Sequence, residues 1–421
     1  MFGSLAGLFK ISELKNKILF TLGMLALFRL GAHIPVQGID LEKLSRIFKQ
    51  GGLFDFLDLF SGGAMATFSI FSLGIMPYIN ASIIMQLLMS VFPKLKEIAE
   101  EGETGRKQIA QYTRYLSVAL ALVQALSISF WFRETVVAGY NFTFFVVTAG
   151  ICLVAGAVFV MWMGELMTES GIGNGASVLI FVGIVARIPY YIGRTILLIQ
   201  GGASVLGVIF LILVFLGVIV GIIVVQEGQR KIPVQYAKKI VGRKVYGGQN
   251  TFIPLRINQG GVLPIIFASA LMQFPLMIVR MIPNQTLQNL VQKYFNYDSV
   301  FYMGFFCLLI FFFTYFYTAL TFEPNELSEN IKKHGGFILG VRPGRPTAEY
   351  LEKIISRLTL VGAFFLAVIA LIPVVAANLT HISSFQGLGG TALLIVVGVA
   401  LDIIKQVETH LVARQYESLL K

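Results

Sequence analysis

The chain is 421 residues long, 56% hydrophobic and only 13% charged, with a formal net charge of +11 and a mean hydropathy of +0.78. Soluble domains carry about a quarter charged residues, so a water-soluble globule is excluded: a fold of this length could not hide so much apolar surface. The two cysteines, Cys152 and Cys307, stand alone in apolar runs, which argues against a disulfide framework or a cysteine metal site.

A helix needs about 20 residues to cross a hydrocarbon core of roughly 30 Å. Runs that meet this lie, in chain order, near residues 18–36, 113–132, 144–166, 204–225, 261–282, 299–320, 358–377 and 388–405. The first follows Lys10, Lys15 and Lys17; it is too long for a signal-peptide core and lacks a small-residue cleavage site, so it reads as a retained span. After it, Leu59 to Phe92 form 34 residues without a charge. As one helix these would measure about 51 Å, well beyond the hydrocarbon core. The Ser61-Gly62-Gly63 step supplies a break, so the run divides into a short re-entrant piece near 59–69 and a true span near 71–92. Such a piece survives at membrane depth only inside a protein cavity.

The stretch 176–192 is a weaker span, because Arg187 and Pro189 interrupt it. Charge placement keeps it. With the amino terminus inside and ten spans, 24 of the 33 Lys and Arg fall on the inner side, eight fall outside and Arg29 lies within the first span. Removing 176–192 would turn 16 of them outward, against the positive-inside rule. The expected fold is therefore an all-α, multi-pass integral membrane protein of about ten transmembrane helices with both termini cytoplasmic. It divides into residues 1–192 and 193–421, joined by 193–204. Five spans per half place the halves in inverted orientation, and 42 glycines suit close helix packing in lipid.

Two inner stretches, 226–260 and 323–357, are long and basic. Lys238-Lys239, Arg243-Lys244, Arg342 and Arg345 suit ribosomal RNA phosphate or an acidic motor surface. Arg29 and Asp402 sit inside spans, where a charge costs about 2.5–3.5 kcal/mol; each reads as a structural ion pair, as a residue snorkelling to the interface, or as a functional group. No nucleotide-binding glycine loop, zinc-type histidine pair or serine nucleophile elbow occurs. No cofactor, metal or enzymatic activity is expected, and any uphill transport draws on a partner or an ion gradient.

Several strings carry a family likeness: FRLGAHIPVQGID (28–40), SIFSLGIMPYINASIIMQLL (69–88), MWMGELMTESGIGNGASVLIF (161–181), GRKVYGGQNTFIPLRINQGGVLPIIFAS (242–269), FEPNELSENIKKHGG (322–336), VRPGRPTAEYLEKIISRLTLVG (341–362) and GGTALLIVVGVALD (389–402). Over nearly its whole length the chain resembles the SecY family of protein-translocating channels. Leu339 departs from it, standing where many members carry proline.

The resemblance implies two inverted five-helix halves around a central pore that opens sideways into lipid. Its constriction would be Ile75, Ile79, Ile180, Ile184, Ile266 and Ile395. A short re-entrant plug helix would run from about Ser61 to Ile70, including Gly62, Gly63, Ala64 and Met65. The lateral gate would lie between the helix of Asn80 and Gln86 and that of Ile266 to Phe274. Arg243, Lys244 and Arg342 would dock a partner. It further implies the small subunits SecE and SecG, drive by the SecA ATPase or a translating ribosome, an unfolded polypeptide as substrate, and the bacterial cytoplasmic (inner) membrane as location. From the residues alone, Ile75 and Ile79, like Ile180 and Ile184, share a helical face. A secondary transporter of a small solute is the alternative that ten spans and a broken helix also suit.

Overall fold

The computed structural model describes residues 12–49, 58–202, 204–236, 239–241, 244–246, 250–281, 299–380 and 389–419, with five positions between 286 and 295. Within these residues the helices are α1 (Ser12–Gly31), α2 (Leu41–Lys49), α3 (Met76–Val91), α4 (Pro93–Glu100), α5 (Glu103–Trp131), α6 (Phe142–Ser170), α7 (Gly175–Gln200), α8 (Val205–Glu227), α9 (Leu263–Met281), α10 (Val300–Thr321), α11 (Pro324–Lys333), α12 (Arg345–Thr380) and α13 (Gly390–Leu419). Among the described residues, seven helices are long and apolar enough to cross a membrane, or eight if the bent pair α3–α4 counts as one. Helix α1 and the mostly apolar α9 fall outside that count, though they lie where the first and seventh spans are expected. The outer faces match a lipid solvent: Leu206, Leu213, Val220 and Val224 of α8 are all more than half exposed, a surface that water would penalise.

Helix ends follow local chemistry. Asn141 accepts from Thr143 N, Asn174 from Ser177 N and Ser204 from Gly207 N, capping α6, α7 and α8. Pro77 sits in the first turn of α3, where its missing N–H costs nothing, and Pro93 ends that helix with a 105° bend into α4.

The structure corrects the expectation in three places. The span expected from residue 71 begins only at Met76, and the piece before it is helical at 58–61 alone, then runs in successive turns to residue 75. Side chains take the helix's place there: Asp58 Oδ1 accepts from Ala66 N, Ser61 Oγ from Met65 N, and Ser72 Oγ donates to Ala64 O and Ser69 O. Gly62 and Gly63, at φ +68° and +94°, supply the left-handed turn. The second difference is in α7, which continues through Arg187 and Pro189 to Gln200, so the expected joint at 193–204 is helical over most of its length.

The third difference is at the basic stretches, which are folded rather than looped. Strands β1 (Gln229–Tyr236), β4 (Asn250–Arg256) and β5 (Gly336–Ile338) form an antiparallel sheet in the order β4-β1-β5, and β2 (Lys239–Val241) pairs with β3 (Lys244–Tyr246). In β1 buried Ile232 and Val234 alternate with exposed Lys231 and Pro233, a period of two that marks a strand. Their buried faces join Leu255, Ile331, Ile338, Leu351, Ile354 and Ile355 in a satellite core beneath α11 and the start of α12. Leu351→Ala should open a cavity there costing about 2–5 kcal/mol, read as faster limited proteolysis within 229–256 while the membrane helices stay protected.

Candidate functional site

The six isoleucines come from the turn before α3 and from α3, α7, α9 and α13, and all fall in one cluster of buried residues. Ile184 and Ile395 are fully buried, and the most exposed of the six, Ile79, shows 8% of its surface. The same cluster takes in Leu59, Phe60 and Ala64 from the turn-rich segment. Met65, Phe68 and Leu73, from that same segment, belong instead to a second cluster with Val36, Leu44, Phe132 and Phe145. The segment is thus a wall shared by two apolar cores. Phe68, the one described non-glycine residue in the left-handed region at φ 43°, is clamped between Phe132 and Phe145 with ring centroids at 5.7 and 5.8 Å.

Against the isoleucine cluster opens a cavity of about 500 Å³. Ile79, Ile180 and Ile266 belong to both, whereas the wall beyond them carries Ser82, Gln86, Arg114 and Glu165. Arg114 Nε donates to Glu165 Oε1 at 2.8 Å. Polarity therefore falls abruptly from the cavity to the cluster.

Among the gate candidates, Asn80 is buried at 4% exposure and its Oδ1 lacks a hydrogen-bond partner, as does Gln86 Oε1 on the cavity wall. Phe274 lies in α9, with its side chain outside the described residues. Arg243 is likewise outside them, and Lys244 is described only as backbone of β3. Arg342 and Arg345 are exposed beside β5 and at the start of α12.

What holds the turn-rich segment in place is polar, and the sequence reading missed most of it. Asp58, with no exposed side-chain surface, forms an ion pair with Arg187 of α7, which is 12% exposed. Arg187 also lies over the Tyr190 ring at 4.8 Å. From the other side Arg29 of α1 donates through Nη1 to Gly62 O at 2.6 Å. Two main-chain bonds, Val36 N to Phe68 O and Ile70 N to Ile34 O, and one from the Thr67 hydroxyl to Ala32 O complete the seam. A Cβ on Gly62 would come within 2.8 Å of Gly183 Cα, so only glycine lets the segment meet α7 this closely. Arg29 is thus answered by a main-chain carbonyl of the segment rather than by a carboxylate. Arg187 was legible only as an interruption of a weak span; the signal that pairs it is Asp58, standing at the edge of a long uncharged run. Asp402 opens onto a second, smaller cavity with Arg256 and Lys405 rather than onto lipid.

The SecY family model matches residues 69–404. Protein translocase subunit SecY of Thermotoga maritima is 48% identical, over 98% of this chain and 96% of that protein. The Synechococcus elongatus subunit of the same name is 46% identical over 97% and 95%. Among solved structures, one described as a protein conducting channel has a TM-score of 0.66 at 21% identity, covering 94% of this chain and 92% of that one. Sec61 in a canine ribosome-channel complex has a TM-score of 0.62 at 20% identity, over 94% and 92%.

A buried ion pair that loses one member leaves an uncompensated charge, at a cost of about 3–5 kcal/mol. Asp58→Asn and Arg187→Gln should each lower the Tm of the purified protein and raise its ion leak, and the double variant should recover part of both losses. Single losses that simply add would show that the two charges do not hold each other.

Proposed function

This chain belongs to the SecY family and is a protein-translocation channel of the membrane, and we propose that it is described here in a closed state, its isoleucine cluster acting as the constriction and residues 58–75 as the plug. The observation that carries this reading is the convergence of six isoleucines from both halves of the chain into one buried cluster next to a polar cavity. A moving polypeptide needs a constriction that offers no hydrogen-bond partner to arrest it. Ions must be stopped while the channel is idle, and a narrow aliphatic ring does so by dewetting. A small-solute transporter would instead gather polar groups at its midplane, and the comparisons give that alternative no support.

The finer parts of the proposal rest on family membership and on the distribution of charge along the chain. The ten spans form two inverted halves, with the termini on the cytoplasmic side of a bacterial inner membrane. The seam between α3 and α9, with Asn80, Gln86 and Phe274, is where a transmembrane segment leaves for lipid. The pore is passive, driven by SecA or a translating ribosome, and is completed by SecE and SecG. Sec61 and a yeast Ssh1 complex have been solved with ribosomes; here Arg342 and Arg345, with Arg243 and Lys244, are the cations that would meet ribosomal RNA phosphate or a motor surface. Arg342→Glu with Arg345→Glu should weaken binding of the docked partner and flatten its salt dependence, without altering the yield of folded channel. Unchanged affinity for both ribosome and SecA across salt concentrations would remove these residues from the docking surface.

The constriction is tested by replacing Ile79, Ile184, Ile266 and Ile395 in pairs with Asn or Ser. Conductance per folded, reconstituted channel should rise, and export of substrates with weak targeting signals should improve because the closed state is less favoured. Ile209 and Ile212, half exposed on the outer face of α8, provide the control. Equal leak from both sets would place the constriction elsewhere.

A further inference from the structure

In α7, Ile180, Ile184 and Arg187 follow one another at intervals of four and three, which puts them on one face of the helix. The face that gives two isoleucines to the buried cluster therefore ends, about 4.5 Å further along the axis, in a guanidinium. In the orientation proposed above, this is the outward side of the constriction. Residues 58–75 cover that face directly: a Cβ on Gly62 would come 2.8 Å from Gly183 Cα, and one on Gly63 would stand 3.6 Å from Arg187 Cδ.

Arg187 is oriented by more than its ion-pair partner. Its guanidinium lies over the Tyr190 ring at 4.8 Å, a contact within α7 that does not depend on the segment. Asp58 differs, because its carboxylate belongs to the segment and leaves with it. Arg29, which reaches the same turn at Gly62 O, is a second cation and brings no carboxylate. Displacing 58–75 therefore uncovers an oriented guanidinium on the wall of the path and removes the anion that answered it.

The seated arrangement shows which chemistry answers Arg187. Asp58 offers a side-chain carboxylate on a stretch of chain that is otherwise uncharged as far as Phe92, and a translocating polypeptide presents the same group at every Asp and Glu. The planar guanidinium fork matches a carboxylate in geometry as well as charge. We propose that Arg187 is a carboxylate subsite on the outward side of the constriction, filled by Asp58 when the segment is seated and by Asp or Glu side chains of the passing polypeptide when it is displaced. The proposal rests on the reading of 58–75 as the plug and names the substrate chemistry of the surface that the plug covers. Asp58 is then a tethered stand-in for substrate: acidic residues in transit compete with its return, and an empty path restores it.

The test uses the reconstituted channel without a membrane potential. A secretory polypeptide is arrested in transit by a folded carboxy-terminal domain, and its backward escape is timed once the driving ATP is exhausted. A single Glu is moved along the arrested stretch, and each position is compared with Gln. Glu is expected to lengthen the half-life about fivefold over one narrow window of positions. That difference should vanish with Arg187→Gln, persist with Arg187→Lys and grow with Asp58→Asn, which removes the tethered competitor. Glu and Gln are compared in the same channel, so a merely structural role for Arg187 cancels. Equal half-lives at every position would mean that water or buffer anions answer Arg187, and would refute the subsite; so would a difference that survives Arg187→Gln. The plug reading is checked separately, with Cys152 and Cys307 replaced by alanine, through Pro35→Cys and Ser69→Cys, two positions paired across an antiparallel bridge. Their disulfide should form in the idle channel and not with the chain arrested. Equal disulfide yield in both would refute the plug, and the subsite with it.

Discussion

Eighteen residues of largely non-helical backbone, 58–75, lie buried within the molecule, where their N–H and C=O groups must find partners in the protein. The arrangement around them answers this constraint. Asp58 and the serines close bonds within the segment, Arg29 of α1 and the 32–36 stretch after it close them from outside, and Arg187 neutralises the segment's own carboxylate, Asp58. Because α7 carries both Arg187 and the pair Ile180 and Ile184, the helix that anchors the segment also contributes to the isoleucine cluster. A tilt of α7 therefore acts on both at once.

Energetically the region balances a costly ion pair against apolar burial. Taking Asp58 and Arg187 out of water costs several kcal/mol per ion, repaid only in this one geometry. Two apolar cores sharing the segment as a wall supply what that pair does not. Stability of this arrangement then depends on position: a small displacement strands a charge and uncovers both cores together.

Much of this was legible in the sequence. Long uncharged runs, the positive-inside count and the Ser61-Gly62-Gly63 break located the spans and the irregular segment, since hydropathy and glycine act locally. The six isoleucines were assigned through family likeness, because an isoleucine in a membrane helix carries no mark of which way it faces. The Asp58–Arg187 pair joins residues 129 positions apart, a separation that no local pattern encodes. The sheet was missed for a different reason: basic residues dominate 229–256, and charge was given weight over the short alternation of Ile232 and Val234.

The sheet has a mechanical consequence. β1 and β4 hang from α8 and α9, β5 from the α10–α12 connection, and the register Val234↔Ile338 rivets them together. The four helices these strands adjoin are thus tied to one plate. A load applied to that plate is shared among them rather than bending one connection.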